Sequence, residues 1–300
     1  MLDYAATRAW VSPPIRQTCT PRDTILYALA LGMGDADLAH DAVRLRHVYE
    51  RDLVALPTMA AVLASPGFWM RDRAELGIDH LRVVHGEQGV ILHAPLPVAG
   101  ELVGQSRVVR LVDKGAGKGA ILTVEKDLRD AAGQLLATTE QVLFLRGDGG
   151  CAAAVPGGGD TAAAAPAATP DTPPAASLDL AVRPDAAALY RLCGDLNPLH
   201  IDPAVAQRAG FNAPILHGLA TWGMACRAVL ALHADGDSTR LAFFRARMSA
   251  PVYPGDVLRV ETWQVDGAIA FRVRVPARAA LVLSHGRAGL HPAVITASPV

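Results

Sequence analysis

Near its midpoint the chain lacks the side chains from which a core is built. Residues 147–177, GDGGCAAAVPGGGDTAAAAPAATPDTPPAAS, are almost all Ala, Gly, Pro, Thr and Asp. Such a stretch buries little and reads as a linker. It leaves two halves of similar size, and the halves look related. The first contains HAPLPVAGELV (93–103) followed by SRVVRLVDKG; the second contains SAPVYPGDVLRVETWQVDG (249–267). Both read Ala-Pro, a short apolar turn, Gly-acid and a β-rich run, with a slip of one residue. Pro-Gly turns before strands recur in many sheet proteins. Here each copy also follows a helix-like apolar segment and a loop, so duplication is the favoured reading.

Coarse periodicity supports a common plan. In the first half LPTMAAVLASPGFW is a helix candidate cut short by Pro66 and Gly67. Strand candidates follow: GVILHAPL, ELVGQSRVVRLVDKG, GAILTVEKDLRD and LLATTEQVLFLRG. In the second half RPDAAALYRLCGD reads as helix. HGLATWGMACRAVLALHADG is a longer apolar helix that stops near Asp235-Gly236, with three or four strands after it. A helix apolar on all sides needs a sheet wrapped around it.

Composition removes several classes of function. The formal net charge is −1, with no long run of lysine or arginine, so binding driven by phosphate neutralisation of nucleic acid is not expected. No apolar stretch is long and clean enough to span a bilayer. The start, MLDYAATRAW, lacks the apolar core of a secretory signal. The four cysteines form no CxxC pair and read as reduced thiols of a cytoplasmic protein. The end, TASPV, is not a peroxisomal address of the S-K-L type.

Three stretches could carry chemistry. In YRLCGDLNPLHID (190–202), Asp195 and His200 are five residues apart, about 140° around an ideal helix. Pro198 forces Asn197 out of helical geometry, so the segment bends. Carboxylate and imidazole together can hold one water and move its protons, yet Asp and Asn before Pro are also ordinary turn residues. Taken alone, these residues favour the turn. In AGFNAPILHGLATWG (209–223), His217-Gly218 opens the apolar helix. There free N–H groups and the positive dipole end could meet a developing oxyanion, or glycine could simply permit packing around an interior histidine. VVHGEQG (83–89) and DKGAGKG (113–119) could meet phosphate through Lys114 and Lys118, or form a charged hairpin. An ionised Cys193 has no support from its apolar helix. Asp195, His200 and Asp202 are not expected to hold a metal, because no third imidazole or thiolate falls at ligand spacing.

YRLCGDLNPLHIDPAVAQRAGFNAPILHGL closely resembles the signature of type 2, R-specific enoyl-CoA hydratases in the MaoC-like dehydratase group. YALALGMG, VYERDLVALPT, HGEQGVILHAPLP, DKGAGKGAIL and RARMSAPVYPGD resemble the same family in order along nearly the whole chain, apart from the linker. The resemblance implies an α+β double hot-dog, two long helices each wrapped by an antiparallel sheet. It implies a non-catalytic, acyl-binding half (1–147), a linker (148–177) and a catalytic half (178–300). Asp195 and His200 would form the dyad, with Gly218 N–H as oxyanion donor. His85, Gly86, Lys114 and Asn197 would contact acyl-CoA. No metal or organic cofactor is implied. Cys193 stands where serine is usual, and Met248 where an aromatic residue is usual against the ligand. The expected activity is reversible hydration of trans-2-enoyl-CoA to (3R)-3-hydroxyacyl-CoA in fatty acid metabolism, by a cytoplasmic homodimer. Two alternatives are a hot-dog thioesterase and a non-catalytic acyl-CoA binding subunit.

Overall fold

A computed structural model describes residues 1–34, 38, 40–164 and 166–292. Ten strands form one antiparallel sheet: β1 (Ile15–Cys19), β2 (Val83–Leu92), β3 (Gly100–Asp113), β4 (Ala120–Asp130), β5 (Leu135–Leu145), β6 (Ala176–Ala181), β7 (Leu241–Met248), β8 (Val257–Val265), β9 (Ala268–Val275) and β10 (Ala280–Leu290). Their spatial order is β1-β3-β4-β5-β2-β7-β10-β9-β8-β6. From either free edge inward, the strands of each half run first, third, fourth, fifth, second. Identical wiring in the two halves supports duplication more directly than the short sequence repeat does. The halves join where β2 pairs with β7, from Glu87 opposite Arg247 to Ile91 opposite Phe243.

Among the described residues six α-helices accompany the sheet: α1 (Tyr4–Arg8), α2 (Pro21–Ala30), α3 (Ala42–Leu45), α4 (Ala186–Tyr190), α5 (Pro203–Arg208) and α6 (Gly218–His233). Alternation on the strands fixes which face is covered. Ala120, Leu122, Val124, Lys126 and Leu128 of β4 are buried in succession at every second position, while the residues between are mostly half-buried. In the second half the covered face holds α6, whose residues Ala220–Leu230 are all buried. Trp222 packs on Phe244, and Phe244 stacks on Phe271 at 4.6 Å. This is the helix-in-sheet core expected of a hot-dog.

The first half departs from the expectation of a second long helix. At the equivalent point, between its first two strands, the segment Pro57–Ala61 makes only a 3-10 turn. Ala64 turns the chain with φ 45°, two residues ahead of the Pro66-Gly67 stop. Lys126 Nζ donates to the carbonyls of Ala60 (2.9 Å), Ala61 (3.2 Å) and Leu63, so a buried amine, its pKa lowered by burial to about 7, caps the turn. The double hot-dog is present, with one of its two helices reduced to a stub.

The low-complexity segment is not a loose tether. Ala152 is buried in one hydrophobic cluster with Leu2, Tyr4 and Leu145, Cys151 and Val155 pack against that cluster, and hydrogen bonds hold more of the segment. Asp160 accepts from the Leu111 N–H at 2.8 Å and from Arg8 Nε at 2.6 Å. Trp263 Nε1 donates to the Thr172 and Pro173 carbonyls, both at 3.0 Å. Its last two residues, Ala176 and Ser177, already belong to β6. It is a strap laid along both halves. No described helix is long and apolar enough to cross a membrane.

Candidate active site

The bend around Pro198 is built by short-range hydrogen bonds. After α4, a 3-10 turn (Arg191–Cys193) ends at Gly194, whose φ of 127° suits glycine. The Asp195 carboxylate accepts the Asn197 N–H at 3.1 Å through Oδ1. Asn197 Oδ1 accepts the Leu199 N–H at 3.0 Å and opens a second 3-10 turn, Pro198–His200. The turn role of Asp195 and Asn197 is therefore real. It is compatible with chemistry, because Asp195 commits one oxygen to the backbone and thereby aims the other.

That turn carries His200 inward to 8% exposure. His200 Nδ1 donates to the Ile215 carbonyl at 2.8 Å, which leaves a lone pair on Nε2 of the neutral ring. Burial lowers its pKa; the Ile215 carbonyl and the Asp195 charge oppose that shift. His217, the residue before α6, donates from Nε2 to the Asp195 carbonyl at 3.1 Å. The two imidazoles stack with centroids 3.7 Å apart. Burial, and then the neighbouring His200, push His217 down to about 4. The rings are thus neutral near pH 7.

The sequence reading assigned His217 no part in this cluster. Its donor atom joins those of Asp195 and His200 within 4.8 Å, so the expectation that no third imidazole reaches ligand spacing is corrected. Sequence distance hid it, because His217 arrives from 22 residues away as a helix begins. A metal still fits poorly. The two imidazoles stack at an interplanar angle of 28°, and His200 spends Nδ1 on the Ile215 carbonyl. His217 also spends Nε2 on a carbonyl. Asp202 is elsewhere engaged, capping α5 through the N–H groups of Ala204 and Val205.

Gly218 is the first residue of α6, so its N–H has no intrahelical acceptor. A side chain there would grow toward Met248, whose Cγ, Cε and Sδ lie 3.7–3.9 Å from an added Cβ. Glycine keeps this space between helix end and thioether open. Cys193 offers no nucleophile: burial, then the charge of Asp23, push its thiol up to about 12.

The first half reaches the cluster through His85 on β2. The Asp195 charge is felt at His85, where burial lowers the pKa to about 4. Gly86 is the extra residue of a bulge against β5, since His85 pairs with Leu143 and Glu87 with Val142. Lys114 is not at the cluster. It lies exposed in the β3–β4 hairpin, at the same sheet end as His85. The row Val83–Leu145–Ala120–Asp113 crosses three strand spacings, about 14 Å. The assembly thus offers a carboxylate oxygen, a basic imidazole nitrogen and a helix N-terminus around one small space, with a basic hairpin farther along the same edge.

Residues 165–283 match the family model for the MaoC like domain, and residues 18–147 match that for the MFE-2 hydratase 2 N-terminal domain. The chain is 39% identical to the 3-hydroxyacyl-thioester dehydratase Y of Mycobacterium tuberculosis, over 92% of this chain and 94% of that protein. Among solved structures, a MaoC-like dehydratase from Phytophthora capsici superposes with TM-score 0.79 at 28% identity, covering 96% of this chain and 98% of the other. The full-length peroxisomal multifunctional enzyme type 2 from Drosophila melanogaster gives TM-score 0.77 at 33% identity, over 92% of this chain but 48% of that longer one.

Proposed function

This chain belongs to the MaoC-like dehydratase family, close to the hydratase 2 proteins, and on that premise we propose that Asp195 and His200 hold the water that hydrates a trans-2-enoyl-CoA to (3R)-3-hydroxyacyl-CoA. The observation that carries the reading is the convergence of Asp195, His200 and the N-terminus of α6 on one space. C3 of an enoyl thioester is electrophilic only when negative charge can gather on the thioester oxygen. The Gly218 N–H at the positive helix end would receive that charge, a contribution of about 3 kcal/mol for a donor of this kind. Asp195, with Oδ1 tied to the backbone, takes a proton from the water through its other oxygen. His200, with Nδ1 tied to Ile215, offers Nε2 to the same water. Hydroxide adds to C3, the proton taken up from the water is returned by the dyad to C2 from the same side, and the R product follows. The reverse reaction is dehydration through the same groups.

His85, Gly86, Asn197 and Lys114 are read as contacts for the thioester's carrier, and Met248 as part of the acyl wall. The first half has a short 3-10 turn where the second has α6, and this shorter element supports the acyl chain lying on that side. No observation favours hydrolysis of the thioester. The test is to incubate the protein with trans-2-enoyl-CoAs of several lengths and determine product and configuration. (3R)-3-hydroxyacyl-CoA is expected. Free coenzyme A as the main product would overturn the reading in favour of a thioesterase.

A further inference from the structure

As the strap leaves β5 it meets the hairpin between β3 and β4. Asp113, the last residue of β3, accepts three backbone N–H groups. One comes from Gly115 within the hairpin (2.8 Å); two come from the strap, Gly150 (2.7 Å) and Ala152 (2.9 Å). Burial raises the Asp113 pKa, but the three donors together outweigh it and hold the carboxyl below its usual range. Gly149 presses on the hairpin backbone. A Cβ there would overlap the Gly115 carbonyl and stand 2.6 Å from the Gly119 nitrogen. The hairpin turns on Gly115, Gly117 and Gly119, with φ of 93°, 73° and 76°. It closes through Lys114 N–H to Gly119 O and Lys118 N–H to Gly115 O, both 3.0 Å.

A turn with three glycines has unusual freedom when untethered. Here a carboxylate and a close-packed strap remove that freedom. The side chains held in place are Lys114 and Lys118, both exposed and making no ion pair among the described residues. Two ammonium groups on a fixed loop, three strands across the sheet from the strand that carries His85, suit an anionic group at the far end of an extended substrate.

We propose that Asp113 and the strap segment Gly149–Ala152 fix the Lys114–Gly119 hairpin in the shape that receives the phosphorylated nucleotide end of the coenzyme A thioester. Asp113 is then a positioning residue for recognition of the carrier, and the strap is part of the binding apparatus. This rests on the reading of Lys114 as a substrate contact.

The experiment compares an enoyl-CoA with the same enoyl chain on pantetheine, which lacks the nucleotide. It uses wild type, Asp113→Asn, Gly149→Ala and the double variant Lys114→Ala/Lys118→Ala. Binding of adenosine 3′,5′-bisphosphate is measured on the same four proteins by calorimetry, independently of turnover. The double variant should raise KM for the CoA substrate about tenfold. Asp113→Asn and Gly149→Ala should each raise it several-fold, with kcat kept and the nucleotide bound correspondingly more weakly. Turnover of the pantetheine thioester should be the same in all four, which also reports an intact fold. Equal losses on both thioesters would overturn the proposal in favour of a general structural role. A loss confined to the double variant would show that the hairpin binds without help from the strap. No loss of nucleotide binding in the double variant would remove the substrate reading of the hairpin itself, while leaving hydration at the dyad untouched.

Discussion

The two halves share their wiring and differ in what fills it. In the second, α6 lies buried along the sheet, and its first residue, Gly218, presents a free N–H beside Met248. In the first, the matching turn begins at Pro57. Proline has no N–H to offer, so the equivalent position cannot stabilise an oxyanion. The strand position matching Met248 is Leu92, since each precedes an x-Ala-Pro turn. Because β2 and β7 run antiparallel, the two positions lie at opposite ends of the seam. Leu92 and Pro57 line a small cavity of about 130 Å³ together with Val54, Ala55 and Leu241. It has the matching place, and its lining includes His93 and His291 but no carboxylate to pair with an imidazole. The duplication thus keeps one water-holding site, and the other copy is free to lose its helix.

The dyad gives the largest effect with which to break this comparison. Asp195→Asn and His200→Ala should each lower kcat by about 10²–10⁴, since each removes half of the proton relay. Thermal midpoints should move little for Asp195→Asn, whose amide oxygen still accepts the Asn197 N–H. Near-wild-type turnover in either variant would mean that the chemistry lies elsewhere, the first half included.

Lys126 tests the stub. On β9, which matches β4, the buried residues Ile269, Phe271, Val273 and Val275 are all apolar. Lys126 breaks that pattern because the first half must satisfy carbonyls that a continuing helix would have bonded itself. Lys126→Met should lose about 2 kcal/mol of stability, as three carbonyls lose their donor. A urea midpoint equal to or above wild type would show that the Lys126 donor is not needed as a cap.

His217 should appear in the pH dependence. Its folded pKa, about 4, lies below the ordinary value of 6.5. Between those values the unfolded chain binds more protons, so stability rises with pH. This contribution is complete above about pH 6.5 and is lost as pH falls toward 4. His217→Gln should flatten that acid limb, read as the thermal midpoint from pH 4 to 7. An unchanged slope would assign the limb to other groups, with His85, also near 4, the next candidate.

Much of this was legible in the sequence where the signal is local. The Asp-x-Asn-Pro-x-His spacing and Gly218 at a helix start each lie within one segment, although the residues alone favour a turn and only the family resemblance points to a dyad. The all-round apolar character of residues 218–233 foretold burial. The readings that failed depend on distant partners. LPTMAAVLASPGFW makes a 3-10 turn whose carbonyls are met by Lys126, more than sixty residues later, a partner no local pattern shows. The segment reads as a linker from composition, which does not show that Ala152, Cys151 and Val155 pack on the first half or that Asp160 and the Thr172 and Pro173 carbonyls find partners. His217 was visible but ambiguous, because an interior histidine becomes a member of the cluster only once the bend at Pro198 brings His200 against it.

The smallest effect sharpens the comparison at Met248. Methionine is unbranched and pliable, and it fits acyl chains of different girth without a fixed shape. It lies against Gly218, so it borders the space assigned to the reacting end of the chain. A phenylalanine ring there would be a stiffer wall. Met248→Phe should leave kcat on a short enoyl-CoA near wild type and reduce kcat/KM on longer ones. One or two methylenes in an apolar pocket are worth about 1–3 kcal/mol, so the change in discrimination should stay within roughly ten- to two-hundred-fold. Leu92→Phe supplies the control, because it alters the matching position at the other end of the seam. If the first half holds the chain by its open stub, both variants should change the length profile, Met248→Phe through the part nearest the thioester and Leu92→Phe only for chains long enough to reach it. A profile for Met248→Phe parallel to wild type across the series would remove Met248 from the acyl wall.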